Sequence, residues 1–145
     1  MNFVIDATVA IKWFVAEEDS KAASKLRPFH YDCHAPQSLI AEVTNAAWKK
    51  VARGEIEARQ ATQIAHHLPS FVQNLHEVAT LHRRALEIAI SLQHPVYDCL
   101  YLACAERVDG AMITADRRLL EAVKTTPFAS RLHHLAALPG ELLPI

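Results

Sequence analysis

The stretch PVYDCLYLACAERVDGAMITAD, residues 95–116, decides how this chain is read. From Val96 to Ala105 every residue is apolar or aromatic except Asp98. A helix that is apolar nearly all round is a buried helix, and a lone carboxylate in it is costly unless something positive or hydrogen-bonding meets it. After Gly110 comes Ala111-Met112-Ile113-Thr114, a short apolar run without alternation. Such a run predicts a strand covered on both faces, as in a parallel sheet. Just past it stands Asp116, where open α/β sheets place their ligands.

Working outward, the N-terminus repeats the arrangement. Asn2 to Ile5 reads as a buried strand that stops at Asp6, and Thr8 then caps a short helix, Val9 to Phe14. Glu17-Glu18-Asp19 opens a second helix to about Leu26, ended by Pro28. A short strand is expected over Tyr31 to Ala35. Pro36 starts a long helix to about Arg53, with Gly54 as its stop. On that helix Leu39, Ile40, Val43, Ala46, Ala47, Lys50 and Val51 share one arc at about 100° per residue, with Lys50 the polar exception. Glu42 lies roughly 40° from Ala46, at the margin of the core.

A helix over Glu55 to His67 is expected to be interrupted or kinked by Pro69. Asn74 to Val78 reads as a strand, and Thr80 to Leu92 as an amphipathic helix with Leu81, Ala85, Leu86, Ile88, Ala89 and Leu92 on its apolar side. Asp116 to about Lys124 is a helix and Arg131 to Leu135 an edge strand. The tail containing Pro139, Gly140 and Pro144 reads as coil. Strands alternating with helices predict a three-layer α/β fold with a mostly parallel sheet flanked by helices.

Composition bounds the functions. The 145 residues suit a single domain, 1–145, and 51% hydrophobic with 21% charged residues is ordinary for a globular chain. A net charge of −1 and a pI near 6.7 give no global basic signal, so a nucleic-acid partner would need a local basic patch or a metal ion. Three cysteines without regular spacing make no disulfide framework, and a reducing, cytoplasmic compartment fits them. No apolar run approaches a membrane span, and the N-terminal segment lacks the basic region of a signal peptide. His30-Tyr31-Asp32-Cys33-His34 has zinc-ligating residue types but no second spaced pair.

The candidate site is the acid set Asp6, Glu42, Asp98 and Asp116. Each has a structural explanation as well: Asp6 and Asp116 as helix caps, Asp98 as a first-turn acid, Glu42 as a solvated helix residue. Gathered in one cleft, several carboxylates would repel each other, and Mg²⁺ or Mn²⁺, hard cations that prefer oxygen ligands, would relieve that repulsion.

The runs Phe3-Val4-Ile5-Asp6-Ala7-Thr8, Ala35-Pro36-Gln37-Ser38-Leu39 with Glu42-Val43-Thr44-Asn45, Tyr97-Asp98-Cys99-Leu100-Tyr101-Leu102-Ala103 and Ile113-Thr114-Ala115-Asp116-Arg117-Arg118-Leu119 together resemble a PIN domain of the VapC toxin type. The resemblance implies a PIN-like fold, Mg²⁺- or Mn²⁺-dependent cleavage of RNA, a homodimer and a cognate antitoxin protein. It puts the acidic site on Asp6, Glu42, Asp98 and Asp116, with Asp6, Asp98 and Asp116 as metal ligands and Thr8, Asn45 and Thr114 as supporting polar residues. Leu119 and Leu120 stand where the family often has Phe. Lys12, Lys49, Arg117 and Arg118 are candidate contacts to RNA phosphates.

Two other readings differ in chemistry. A phosphatase using Asp6 as nucleophile would want a second acid two residues on, where Thr8 stands. A non-catalytic binding module would use the acids only as caps. Self-association is also expected, from apolar surface over Glu55 to Leu92 that includes Ile64, Leu68, Phe71, Val72 and Leu75.

Overall fold

The computed structural model describes residues 2–26 and 32–140. In chain order it runs β1 (Asn2–Ile5), α1 (Ala7–Ala10), α2 (Ser20–Lys25), β2 (Asp32–Pro36), α3 (Ser38–Ala52), α4 (Ala58–Phe71), β3 (Asn74–His76), α5 (Val78–Leu92), α6 (Val96–Arg107), β4 (Ala111–Thr114), α7 (Arg117–Val123) and β5 (Leu132–His134). The sheet order is β3-β2-β1-β4-β5, and every pairing is parallel. From β1 the chain first steps outward through β2 to β3, then returns across the sheet to β4 and β5. The strand order therefore reverses between β1 and β4, and the crevice beyond their carboxyl ends is where such folds bind ligands.

The unalternating apolar runs behave as expected of doubly covered strands. Phe3, Val4, Ile5, Met112, Ile113 and Thr114 are fully buried, with Phe3 opposite Ala111 and Ile5 opposite Ile113. Helix α6 packs against β2, β1 and β4 on its way back across the sheet, and every residue from Cys99 to Ala105 is buried. Burial of a side chain such as Leu102 contributes about 1.5–3 kcal/mol. Lys50, the polar exception on α3, is explained by charge. Its Nζ lies 2.7 Å from Glu17 and 3.2 Å from Glu55, and Lys12 grips the other oxygen of Glu17 at 2.9 Å.

Several local expectations shift. Asp6, not Thr8, is the cap of α1, accepting from the Val9 amide, and the helix tightens into a 3-10 turn over Ile11–Trp13. Pro36 ends β2 instead of starting α3, and the Gln37 amide is taken by the His76 carbonyl. Gly54 does stop the segment, in the left-handed region at φ 72°. Pro69 does not end α4, which continues to Phe71. Leu86 is 52% exposed: it lies about 60° beyond Ala89, outside the arc that α5 presents to the core. Pro28, Tyr31 and Pro144 lie outside the described residues.

The apolar surplus expected over Glu55 to Leu92 is largely spent inside the chain. Ile64, Leu68 and Val72 are buried, and Phe71 and Leu75 pack partly buried against the same core. Phe71 fills the space beside Trp13 and Phe14 at ring separations of 5.9 and 4.8 Å. Among the described residues, the large apolar ones that do face solvent are Trp48, Leu86, Ile90 and Tyr97.

Entry into β4 is sterically tight. Asp109 turns the chain at φ 47°, and a Cβ added at Gly110 would lie 2.6 Å from the Asn2 carbonyl oxygen of the neighbouring strand. That oxygen is backbone and cannot rotate away. Gly110→Ala should therefore lower the unfolding free energy by about 1–3 kcal/mol, the usual cost of overpacking. Urea unfolding of the two proteins measures this, and equal midpoints would show that the strand edge can yield.

Candidate active site

Asp6 leaves the sheet at the end of β1 with extended φ and ψ, which lets its side chain turn back and cap α1. Its carboxylate is then almost fully enclosed, at 5% exposure. Oδ1 accepts from the Thr8 hydroxyl at 2.5 Å and from the Val9 amide at 3.2 Å, and Oδ2 accepts from the Thr114 hydroxyl. The two threonines also join the loops. The Thr8 hydroxyl accepts from the Ala115 amide at 2.9 Å, and the Thr114 hydroxyl accepts from the Asp116 amide at 3.0 Å. Three hydrogen bonds favour the charged form of Asp6, yet burial outweighs them and, with the charge of Asp98, pushes its pKa up to about 6.

Glu42 reaches the same place from α3. Burial, reinforced by the charges of Asp6 and Asp98, raises its pKa to about 7 against the favourable approach of the Tyr101 hydroxyl. Neither Glu42 Oε1 nor Tyr101 Oη completes a well-formed hydrogen bond, although both atoms are buried. Tyr101 is itself held protonated by burial and by Glu42, Asp6 and Asp98. Asp98, in the first turn of α6, has its Oδ2 2.6 Å from His94 Nε2, with the side chain 34% exposed.

Asp6, Glu42 and Asp98 thus share one electrostatic neighbourhood. Asp116 adjoins it through the backbone, by the Thr114 hydroxyl, while its own carboxylate caps α7 by accepting from the Arg118 amide at 2.9 Å. Asn45 is exposed on α3. Of the candidate cations, Lys49, Arg117 and Arg118 are exposed, whereas Lys12 is 10% exposed and committed to Glu17. Lys12 is therefore structural.

Sequence reading missed three residues here: His94, Ser38 and Tyr101. Spacing alone could have flagged them, since His94 precedes Asp98 by one helical turn, Ser38 precedes Glu42 by one, and Tyr101 follows Asp98 by three residues. Ser38 Oγ is a further buried polar atom without a hydrogen-bond partner.

The donor chemistry suits a hard divalent cation. Carboxylates adjoin the crevice, burial and the charge of Asp98 raise the pKa values of both Asp6 and Glu42, and a buried carboxylate oxygen of Glu42 has no hydrogen bond. Among the described residues no three His, Cys, Asp or Glu side chains already close around a single point. The conformations explain why: Asp6 is engaged by Thr8, Val9 and Thr114, Asp98 by His94, and Asp116 by α7.

Known proteins resemble this chain over most of its length. The PIN domain matches residues 3–124. Ribonuclease VapC3 of Pyrobaculum aerophilum is 31% identical over 123 residues, covering 83% of this chain and 94% of that protein. Ribonuclease VapC1 of Mycobacterium tuberculosis is 35% identical over 91 residues, 61% of this chain and 66% of its own. Among solved structures, a crystal structure of a Pyrobaculum aerophilum protein superposes with a TM-score of 0.71 at 19% identity, covering 94% of this chain and 90% of the other. A chain in a toxin-antitoxin complex from Klebsiella pneumoniae superposes with a TM-score of 0.67 at 16% identity, covering 93% and 98%. At those identities the two structures speak for the fold.

The raised carboxyl pKa values set the pH dependence of the metal-free protein. Folded Asp6 and Glu42 bind their protons more tightly than the unfolded chain does, so the folded state carries more protons between pH about 4 and about 7. The stability this adds is complete below pH about 4 and lost as pH rises through about 6 and about 7. Asp6 accounts for about 3 kcal/mol of it, at about 1.4 kcal/mol per pH decade. Asp6→Asn keeps the cap and removes the charge, so its metal-free form should melt above wild type at neutral pH and match it in acid. Thermal melts of both proteins across this range check the prediction, and parallel curves would contradict it.

Proposed function

The chain belongs to the PIN-domain family, and from that premise we propose that it is a Mg²⁺- or Mn²⁺-dependent endoribonuclease that serves as the toxin of a toxin–antitoxin pair. The observation that carries the proposal is the buried Asp6 carboxylate at the β1–β4 reversal, facing Glu42 and Asp98 at the margin of solvent. Such an arrangement is expensive for a protein that needs only a helix cap. The names of the relatives, both ribonucleases, support RNA as the substrate.

A divalent cation, when bound, supplies charge neutralisation at the scissile phosphate and acidifies a coordinated water. Asp6, Asp98 and Asp116 are the residues that would hold it. Thr8 and Thr114 fix both oxygens of Asp6, so its carboxylate is oriented before any ligand arrives. Glu42 Oε1 is the proton acceptor for the attacking water, since it is buried and free of hydrogen bonds. A positive charge nearby would lower its pKa from about 7 and leave it ionised at neutral pH. Arg117 and Arg118, exposed at the start of α7, and Lys49 on α3 meet RNA phosphates. The protein needs no covalent nucleophile.

The same reading gives the chain two protein partners, an antitoxin and a second copy of itself. The antitoxin follows from the family alone. For the second copy, Leu86 and Ile90 stand one turn apart on the outer face of α5, at 52% and 71% exposure. The free thiols Cys33, Cys99 and Cys104 suit a cytoplasmic setting, and no helix among the described residues is long and apolar enough to cross a membrane.

Purified protein incubated with RNA and Mn²⁺ should cut internal phosphodiester bonds, and Asp6→Asn should lose at least about 100-fold in rate while remaining folded. Cleavage by Asp6→Asn within a few-fold of wild type would remove Asp6 from the site. Hydrolysis of phosphomonoesters without RNA cleavage would favour the phosphatase reading instead. In light scattering the wild-type protein should run at twice the monomer mass at micromolar concentration, and Leu86→Lys with Ile90→Lys should reduce it to the monomer. A wild-type monomer would refute the second-copy partner.

A further inference from the structure

We infer that His94 is a positioning residue for Asp98: it holds one carboxylate oxygen so that the other is presented to the crevice. The inference deepens the metal-nuclease reading and rests on it. His94 lies in the three-residue turn between α5 and α6, and its backbone is fixed before its side chain acts. Gln93 takes the left-handed conformation at φ 53°, and the His94 amide donates to the Ala89 carbonyl at 3.1 Å. Pro95 then starts α6 at φ −55°. These constraints leave the imidazole one helical turn ahead of Asp98, where its Nε2 meets Oδ2 at 2.6 Å.

The carboxylate oxygen can only accept, so Nε2 carries the hydrogen and donates. His94 is the less exposed member of the pair, its side chain 16% exposed against 34% for Asp98. An inner, anchored imidazole therefore restrains an outer carboxylate. Asp98 otherwise stands in the first turn of a helix whose next seven residues are buried and apolar, and its neighbours Asp6 and Glu42 repel it. Left alone, a carboxylate there would rotate toward water and away from the other acids. A hydrogen bond from outside the acid cluster supplies the restraint that the cluster's own charge opposes. Outer partners of this kind commonly change metal affinity by about 10- to 100-fold.

The test is Mn²⁺ binding by calorimetry to wild type, His94→Leu, His94→Gln and Asp98→Asn, with metal-free melting to establish that each is folded. Leu keeps bulk and removes the donor, whereas Gln can place an amide N–H near the position of Nε2. His94→Leu should bind Mn²⁺ about 10-fold more weakly, and His94→Gln should recover most of the affinity. Unchanged or tighter binding by His94→Leu would overturn the role of His94 and leave the acid site standing. Binding by His94→Gln as weak as by His94→Leu would also overturn it, since the donor would then not be what matters. Wild-type binding that Asp98→Asn does not alter would overturn the site reading and the role of His94 together.

Discussion

The hydrogen bond from Thr114 to Asp6 ties the end of β4 to the end of β1, and much of the rest is arranged to permit it. It spans the one place in the sheet where strand order reverses. Both strands must be buried on two faces to stand there, which accounts for their unbroken apolar sequences. Both must end in polar residues at the same level, which the register Ile5 opposite Ile113 enforces. Gly110 serves the same end, since any larger residue would push β4 away from Asn2.

Burial of Asp6 works against folding, and the surrounding structure compensates. The apolar helix α6 supplies an uninterrupted buried face, and the Lys12–Glu17–Lys50 network braces α3 against the segment that follows α1. A stable frame can hold acids whose charges oppose one another. Electrostatic strain of this kind fits the proposed cation site, whereas a helix cap is satisfied by one carboxylate in water. Asp116 stands at the rim of the cluster: its carboxylate takes a capping bond, as that of Asp6 does, and its link to the cluster runs through Thr114.

Much of this was legible in the sequence, and for physical reasons. Uniform apolarity marks doubly covered strands and a buried helix, so β1, β4 and α6 were found with their acids. The parallel sheet followed from alternation of strands and helices. What was not legible depended on partners distant in the chain. Nothing local distinguishes Lys12, buried against Glu17, from Lys49, free on the surface. Leu68 and Phe71 look like surplus surface until α4 is folded against the Trp13 segment. The cap of α1 was placed two residues late because Asp6 and Thr8 both have capping side chains, and only the backbone conformation at Asp6 decides between them. His94, Ser38 and Tyr101 escaped because motif reading attends to acids and not to what holds them.

The central claim is that Asp6, Glu42, Asp98 and Asp116 form one site for Mg²⁺ or Mn²⁺. Anomalous scattering from crystals grown with Mn²⁺ tests it most directly. The account predicts a manganese peak beyond the carboxyl ends of β1 and β4, about 2.1 Å from an oxygen of Asp6 and within reach of Asp98. Manganese bound only elsewhere, for instance at the His34–His76 pair on β2 and β3, where ring nitrogens lie 3.0 Å apart, would contradict it.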